Sequence, residues 1–397
     1  MMAVVSAPPR WRHCTLGDGI TLQRGFDLPE RERRAGNAPI VSSSGVTGSH
    51  DVSKVAGPGV VTGRYGTLGE VFYVSEDFWP LNTTLYVRDF KGNDPLFISY
   101  FLRTLNFGRQ NAAGAVPGVN RNHLHLLPVM IPPLPVQRKI AGILSAYDDL
   151  IENNSRRIAI LEEMAQALYR EWFVNFRFPG HEGCRMVESE LGLIPGGWRV
   201  VRLGEIASYI NRGVSPKYDD AAQGLVLNQK CIRDGRVSLG PSRHHVTTVA
   251  DAKRVRFGDV FINSTGIGTL GRVAQVYQHI PECTVDSHVT IVRPSSDVEL
   301  DYVGMSLLRM EPYFDSKGTG TTGQTELSRE SVAAAKLLVP PEEIQLCFGR
   351  MVRPPRQLCA KLGECNVYLR RTRDLLLPKL VSGEVDVGGT ETDLDLA

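Results

Sequence analysis

The chain has 397 residues, of which 42% are hydrophobic and 22% are charged, as in a soluble globular protein with two or three domains. No stretch is uncharged and apolar over the length of a membrane span, and the N-terminus lacks a secretory signal, so we expect a cytoplasmic protein without a membrane partner. The net charge of +2 neither indicates nor excludes a nucleic-acid partner, because local basic patches can bind phosphate.

A glycine-rich element in the first 130 residues predicts two β-strands joined by a tight turn. The stretch GVVTGRYGTLGEVFYV (59–74) has β-branched residues and alternation on both sides of its glycines. It lacks the Lys-Ser/Thr of a P-loop, and it continues into a strand instead of the helix that a P-loop or a Rossmann turn needs. Nucleotide binding is therefore excluded, and a plain hairpin explains each glycine taken alone.

A long helix is predicted after the PPLP sequence at 132–135, because no proline or cluster of helix breakers occurs from Gln137 to about Phe176. Its hydrophobic residues form two heptad rows, which are Leu144, Ile151, Ile158, Ala165 and Trp172, and Ile140, Tyr147, Asn154, Leu161 and Leu168. This repeat predicts a coiled coil. The alternative is an amphipathic helix that packs on a globular core.

The second half of the chain repeats the first half in the same order. Four pairs of segments match, which are 11–18 with 198–205, Arg24-Gly25 with Arg212-Gly213, Gly-Thr-Leu-Gly at 66–69 with the same residues at 268–271, and 120–137 with 328–345. Collinear matches predict one structural unit that is used twice, with longer loops in the second copy.

A second long helix is predicted by moving the heptad frame by 208 residues. The rows become Val352, Cys359, Asn366, Arg373 and Leu380, and Phe348, Pro355, Leu362, Leu369 and Leu376. Pro354-Pro355 is expected to kink or restart this helix, and its last part is expected to end near Pro378 and Gly383.

The two helices are expected to run antiparallel, with paired residue numbers that sum to 520. The expected pairs are Leu144 with Leu376, Ile151 with Leu369, Ile158 with Leu362, Leu168 with Val352, and Asn154 with Asn366. A buried asparagine pair of this kind fixes the register of a coiled coil at some cost in stability.

Motifs of catalysis are missing from the sequence. The DPLF sequence at 94–97 lacks the second proline of the N-P-P-[FYW] motif of amino-methyltransferases, and there is no nucleophile elbow. The seven cysteines form no C-x-x-C pair and the nine histidines show no zinc-type spacing with them, so we expect reduced thiols and no metal. These observations favour a binding protein over an enzyme.

Three segments carry a resemblance to one family. The segment 132–176 resembles the central conserved region of the specificity (S) subunit of type I restriction-modification enzymes, and the segment 369–387 resembles the C-terminal conserved region of that subunit. The stretch GDVFINSTGIGTLGRV (258–273) resembles the core of its target recognition domains. Together with the repeat order, the resemblance covers essentially the whole chain.

The resemblance implies an α+β fold in which two pseudo-symmetric α/β target recognition domains are joined by two long antiparallel coiled-coil helices. The implied parts are recognition domain 1 (1–134), a central helix (135–179), recognition domain 2 (180–341), a C-terminal helix (342–387) and a disordered tail (388–397). Each domain would read one half of a split, asymmetric site in double-stranded DNA, while the helices would set the length of the spacer.

The resemblance also implies partners. The helices would dock two modification subunits, which methylate adenine with S-adenosylmethionine, and restriction subunits that use ATP and Mg would join the complex. The chain itself would have no catalytic site, cofactor or metal. The helix residues available to a partner are Arg156, Arg157, Glu162, Glu163, Arg170, Glu171, Arg353, Arg356, Lys361, Arg370 and Arg371, although plain solvation explains each one alone.

Candidate DNA contacts lie beside the shared Gly-Thr-Leu-Gly frame, because the turn before it differs between the copies and carries residue types that read base edges. The candidates are Arg64, Tyr65, Asn120 and Arg121 in the first copy, and Asn263, Ser264, Thr265, Lys317, Thr322 and Gln324 in the second. The glycine-rich segment 317–327 fits a DNA-facing loop and fits a mobile surface loop equally well.

Two other functions stay open at the level of the sequence. One is a non-enzymatic scaffold whose β-rich domains bind proteins and whose helices dimerise. The other is a fused methyltransferase, against which the absent cofactor motif argues.

Overall fold

The computed structural model describes residues 11–105, 118–320 and 325–387. The chain forms two compact units, of which unit 1 comprises residues 1–151 and 368–397 and unit 2 comprises residues 152–367. The division falls in the middle of the two long helices, whereas the domain boundaries expected from the sequence lie at their ends. The reason is that one half of each long helix packs in the core of unit 1 and the other half packs in the core of unit 2. The expected disordered tail, 388–397, lies outside the described residues.

Unit 1 contains nine strands among its described residues. They are β1 Arg12–Thr15, β2 Thr21–Arg24, β3 Ala38–Ser42, β4 Gly45–His50, β5 Gly59–Gly63, β6 Val71–Val74, β7 Trp79–Pro80, β8 Thr84–Asp89 and β9 Pro128–Ile131. Its helices are α1 Leu16–Gly19, α2 Pro95–Thr104, α3 Arg121–His125 and the first half of α4 Leu134–Tyr169. One sheet has the antiparallel order β2-β8-β5-β6, a second has the order β4-β3-β7, and β1 pairs with β9.

Unit 2 contains thirteen strands among its described residues. They are β10 Met186–Ser189, β11 Gly192–Pro195, β12 Arg199–Arg202, β13 Ala207–Arg212, β14 Gly224–Leu227, β15 Ile232–Arg233, β16 Arg236–Val237, β17 Arg243–His245, β18 Val260–Asn263, β19 Val273–Gln275, β20 Cys283–Val285, β21 Val289–Pro294 and β22 Lys336–Val339. Helix α4 continues into it and ends in a π-helical turn, Arg170–Val174. Its other helices are α5 Leu203–Ile206, α6 Leu300–Leu308, α7 Glu311–Ser316, α8 Arg329–Ala333 and α9 Glu342–Ser382, which continues into unit 1.

The predicted duplication is confirmed by the topology of the sheets. The sheet β13-β21-β18-β19 of unit 2 repeats β2-β8-β5-β6 of unit 1, and β12-β22 repeats β1-β9. The sheet β17-β14-β20 repeats β4-β3-β7, including the one parallel pair in each, β14 with β20 and β3 with β7. The hairpins β10-β11 and β15-β16 have no counterpart in the part of unit 1 that the structure describes.

The shared Gly-Thr-Leu-Gly frame forms the predicted turn between two antiparallel strands, β5 and β6 in unit 1 and β18 and β19 in unit 2. Both glycines of the frame have a left-handed backbone in both copies, with φ of +78° and +87° at Gly66 and Gly69, and +69° and +77° at Gly268 and Gly271. Glycine adopts this conformation without the penalty that a side chain adds, which explains why the frame recurs.

A buried glutamine at the start of each long helix explains why the segments 120–137 and 328–345 match at their ends. Gln137 accepts a hydrogen bond from the Asp94 backbone N–H (2.9 Å) and donates to the Pro132 carbonyl oxygen (2.8 Å). Gln345 accepts from the Glu299 backbone N–H (3.0 Å) and donates to the Pro340 carbonyl oxygen (2.7 Å). Each glutamine therefore ties the first turn of a long helix to the loop before α2 or α6.

Replacing Gln345 by alanine should lower the free energy of unfolding by about 2–4 kcal/mol, because one buried donor and one buried acceptor lose their partner. The measurement is urea denaturation of the full chain. Gln166→Ala, at an exposed position of α4 in the same unit, is the matched control and should change stability by less than about 0.5 kcal/mol. Equal effects of the two substitutions would contradict this account of the glutamine.

The two long helices pack both on each other and on the globular cores. All five residues of the first heptad row, from Leu144 to Trp172, are buried. In unit 1, Ile140 and Leu144 share a core with Leu380, and in unit 2 Trp172 shares a core with Phe348. Both sequence interpretations of α4, the coiled coil and the core-packed helix, therefore hold in part.

The predicted asparagine pair is confirmed. In unit 2, Asn154 Nδ2 donates to Asn366 Oδ1 at 3.0 Å, and both side chains are buried. Cys359 Sγ lies 3.8 Å from the Ile158 carbonyl oxygen, so α4 and α9 run antiparallel there. In unit 1, the Arg373 guanidinium binds the Asp148 carboxylate, which also accepts a hydrogen bond from the Tyr100 hydroxyl at 2.6 Å.

Of the kink or restart expected at Pro354-Pro355, the restart is wrong, because α9 is continuous from Glu342 to Ser382. Buried residues flank the proline pair, with Val352 before it and Arg356 and Cys359 after it. Packing of these side chains outweighs the loss of helix hydrogen bonds at proline. The helix does end where expected, since Gly383 follows its last residue with φ of +76°.

Candidate nucleic-acid interface

The turn between β5 and β6 brings together four predicted contact residues in unit 1. The Arg64 backbone N–H donates to the Thr83 carbonyl oxygen (2.9 Å), and the Val119 N–H donates to the Arg64 carbonyl oxygen (3.0 Å). Tyr65 forms a β-bridge with Gly118, which places Asn120 and Arg121 next to the turn.

The side chains at this turn present a cation and an aromatic ring. The Arg64 guanidinium lies over the Tyr65 ring, 4.7 Å from its centroid, and the Tyr65 side chain is partly exposed. Arg121 is exposed, while the Asn120 side-chain oxygen accepts the Asn122 backbone N–H (2.9 Å) and caps α3. An arginine stacked on tyrosine can bind a phosphate or a base edge through its guanidinium.

The equivalent turn of unit 2 has the same main-chain scaffold. The Ser264 N–H donates to the His288 carbonyl oxygen (2.8 Å), and the Leu327 N–H donates to the Ser264 carbonyl oxygen (2.8 Å). Thr265 forms a β-bridge with Glu326, as Tyr65 does with Gly118 in unit 1. Each turn is therefore braced by the loop before β8 or β21 and by the segment before α3 or α8.

Two of the residues predicted to contact DNA face the interior of unit 2. Asn263 and Ser264 have no exposed surface, so neither side chain can reach a base as the unit is folded. Asn263 Nδ2 donates to the Gln229 carbonyl oxygen (3.2 Å), and Ser264 Oγ shares a hydrogen bond with Thr290 Oγ1 (2.6 Å). The correction has a simple cause, since Asn263 ends the inner strand β18, Ser264 follows it directly, and their partners come from distant segments.

The structure adds two residues that sequence reasoning missed, Gln229 and His288. Gln229 Nε2 donates to Thr265 Oγ1 (2.7 Å), and Thr265 Oγ1 lies 2.8 Å from His288 Nδ1. The turn before β21 is held by Asp286, whose carboxylate accepts the His288 N–H (2.9 Å) and whose pKa is raised by burial. No local sequence signal marks Gln229 or His288, because they meet Thr265 only in the folded sheet.

The remaining predicted contacts belong to the segment after α7. Lys317 is exposed, and its ammonium lies 5.4 Å from the centroid of the Tyr313 ring. Thr319 forms a β-bridge with Glu326, which brings the segment towards Thr265. Thr322 and Gln324 lie outside the described residues.

Four of the eleven charged helix residues expected to be available to a partner are used within the unit. Glu162 binds Arg236, and Glu171 binds Arg177. Arg353 binds the buried carboxylates of Glu299 and Asp301. Arg356 is buried against the ring of Tyr277. The exposed residues of the set are Arg156, Arg157, Glu163, Arg170, Lys361, Arg370 and Arg371.

The helices also expose large apolar side chains that the charge pattern did not indicate. In unit 1 these are Leu150, Tyr368 and Leu375. In unit 2 they are Ile160, Met164, Leu346, Met351 and Val367. Several large apolar side chains exposed on one helix pair are a common feature of protein-binding surfaces.

Comparison with known proteins gives concordant results. The family described as "Type I restriction modification DNA specificity domain" matches residues 8–163. The putative type I restriction enzyme MjaX specificity subunit of Methanocaldococcus jannaschii is 30% identical over 304 residues, which are 74% of this chain and 69% of that protein. The MjaIX specificity subunit of the same organism is 26% identical over 322 residues, covering 78% of this chain and 74% of that protein.

The fold is similar to that of a solved structure. The crystal structure of a type I restriction-modification system S subunit from M. genitalium aligns with a TM-score of 0.69 over 96% of this chain and 98% of that chain. The sequence identity in this alignment is 15%, so the likeness concerns the fold.

Proposed function

Because this chain belongs to the family of type I restriction enzyme specificity subunits, we propose that it is the DNA sequence-recognition subunit of a type I restriction-modification complex. Unit 1 and unit 2 would each read one half of a bipartite, asymmetric site in double-stranded DNA. Family membership disfavours the alternative of a protein-binding scaffold with helical dimerisation.

One observation supports the proposal that each unit recognises a different half-site. The turns at 63–69 and 263–271 share their strand pairing, their main-chain bracing and their left-handed glycines. Their outward side chains differ, with Arg64 and Tyr65 on one and Thr265 on the other. A constant scaffold with different polar groups suits two half-sites of different sequence, because base edges are distinguished by their donor and acceptor patterns.

The long helices support a second part of the proposal, which is the docking of two modification subunits and the setting of the spacer length. Along α4 and α9 the exposed apolar residues alternate with exposed cations, Arg156 and Arg157 on α4 and Arg370 and Arg371 on α9. A mixture of exposed apolar and charged side chains is typical of subunit interfaces.

The chain would act without a catalytic site or cofactor of its own, in the cytoplasm. S-adenosylmethionine would bind to the modification subunits, and ATP and Mg to restriction subunits. We propose these partners from family membership, and their chemistry lies outside this chain.

The proposal predicts that the isolated chain binds DNA weakly, whereas the complex with two modification subunits binds one bipartite sequence tightly. If the complex contacts six or more phosphates, its affinity should fall about 10³-fold or more between about 50 and 200 mM salt. The measurement is a titration of labelled duplex at several salt concentrations, with a scrambled duplex as the control. Equal affinity of the complex for both duplexes would contradict the proposal.

A further inference from the structure

Three segments of unit 2 that are distant in the sequence meet at Thr265. Gln229 comes from the turn after β14, Thr265 follows β18, and His288 lies in the turn before β21. The equivalent residue of His288 in unit 1 is Thr83, because the carbonyl oxygen of each accepts the backbone N–H of the turn residue, Arg64 or Ser264. The two units thus place different side chains at the same point of one scaffold.

His288 is held at three points. Its backbone N–H donates to Asp286 Oδ1 (2.9 Å), and its carbonyl oxygen accepts the Ser264 N–H (2.8 Å). Its ring atom Nδ1 lies 2.8 Å from Thr265 Oγ1. The residue is nevertheless exposed, so a fixed imidazole is presented to solvent at the tip of the sheet.

The hydrogen-bond partners of Thr265 favour one tautomer of this imidazole. Gln229 Nε2 donates to Thr265 Oγ1, so the hydroxyl proton of Thr265 is left to point elsewhere. With Thr265 Oγ1 as the donor, its hydroxyl proton has an acceptor in His288 Nδ1, whereas the opposite tautomer would leave that proton without an acceptor among the described residues. The proton of the neutral ring then sits on Nε2, for which the described residues provide no partner.

We propose that His288 determines specificity in the half-site read by unit 2, by donating its Nε2–H to a purine acceptor, N7 or guanine O6, in the major groove. The inference rests on the proposed function and adds the donor and the chemical class of its target. Thr265 is the positioning residue, since it fixes the tautomer and the orientation of the ring. Gln229 in turn orients Thr265.

A base edge fits this donor better than a phosphate does. Arg and Lys reach phosphates with long, flexible side chains, whereas the His288 imidazole is short and anchored on both sides of its backbone. The exposed Lys230, next to Gln229, suits a phosphate better. A rigid donor of fixed direction instead discriminates among the acceptor patterns of base pairs.

The test uses the complex with its modification subunits and a set of duplexes in which each position of the second half-site is varied. His288→Ala should weaken binding of the preferred duplex about 5- to 10-fold and relax the preference at one purine position. The other half-site should keep its full specificity. His279→Ala, an exposed histidine at the other end of β19, is the matched control and should leave binding unchanged.

Two further measurements separate base reading from other roles. A 7-deazapurine at the relaxed position removes N7, and 2-aminopurine in place of guanine removes O6. One of these two modified bases should weaken binding of the wild-type complex as much as His288→Ala does. The same base should cause no further loss of affinity in the His288→Ala complex. Thr265→Val should lose part of the affinity and of the purine preference that His288→Ala loses. Thr265→Ser, which keeps the hydroxyl, should keep the wild-type preference.

The outcomes are distinct. If His288→Ala weakened all duplexes equally, the residue would contact phosphate and the inference would be overturned. Unchanged binding by His288→Ala, with the wild-type complex still specific, would overturn the inference alone. A wild-type complex without any sequence preference would overturn the proposed function and the inference together.

Discussion

Exchange of residues 1–134 for the first recognition domain of another family member is expected to change one half of the methylated sequence and to leave the other half unchanged. Unit 1 and unit 2 have separate cores and separate sheets, so the reader in unit 2 does not depend on the turn at 63–69. Affinity for the original site should fall about 10³-fold or more, to the level of non-specific binding. Sequencing of methylated adenines in a host that carries the exchanged subunit measures the result.

The structure adds a condition to this exchange. Residues Ile140, Leu144, Leu380 and Val381 of the long helices complete the core of unit 1, so a donor domain must fit these side chains. The reciprocal exchange of residues 180–341 is the control and should change only the other half of the site. A change of both halves, or of neither, would contradict the assignment of one reader to each unit.

Alanine in place of Gly213 should lower the free energy of unfolding by more than about 3 kcal/mol. A Cβ atom at Gly213 would lie 1.8 Å from the Val285 carbonyl oxygen, and at Gly25, its equivalent in unit 1, 2.2 Å from that of Leu81. Gly213 lies against the backbone at the end of β20, and Gly25 lies against the backbone at the end of β7. A methyl group at either position could fit only if the backbone moved. Thermal or urea unfolding of Gly213→Ala and Gly25→Ala measures the loss.

The long helices provide matched controls for these substitutions. Gly363 in unit 2 and Gly142 in unit 1 are helical, and a Cβ atom on either would meet nothing within 4 Å. Gly363→Ala and Gly142→Ala should therefore stabilise the chain by about 0.5–1 kcal/mol each. Loss of stability in all four variants would show that close approach is not the reason for glycine at 25 and 213.

Much of the fold followed from local signals. The glycines at 66, 69, 268 and 271 and the alternation around them predicted both hairpins, and the heptad rows predicted both long helices. Asn154 and Asn366 could be paired in advance because a polar residue in an apolar row must find a polar partner. These patterns repeat within a few residues, so a sequence displays them directly.

The candidate site was predicted less completely. Arg64, Tyr65, Asn120 and Arg121 do lie together, because the strand order brings 118–121 beside the first turn. Asn263 and Ser264 proved buried, and the residues that lie beside Thr265 are Gln229, which is half-buried, and His288, which is exposed. Four of the charged helix residues expected to face a partner likewise bind groups inside unit 2, namely Glu162, Glu171, Arg353 and Arg356.

By itself, the sequence determined the duplicated order of elements, the turns and the antiparallel helix pair, since periodicity, glycine and proline act on the backbone over a few residues. The tertiary structure alone decided which side chains face outward at each tip, how far α9 continues through its prolines, and where the compact units divide. Those outcomes depend on burial and on contacts between segments separated by tens to hundreds of residues, and such contacts exist only once the sheets and helices have packed.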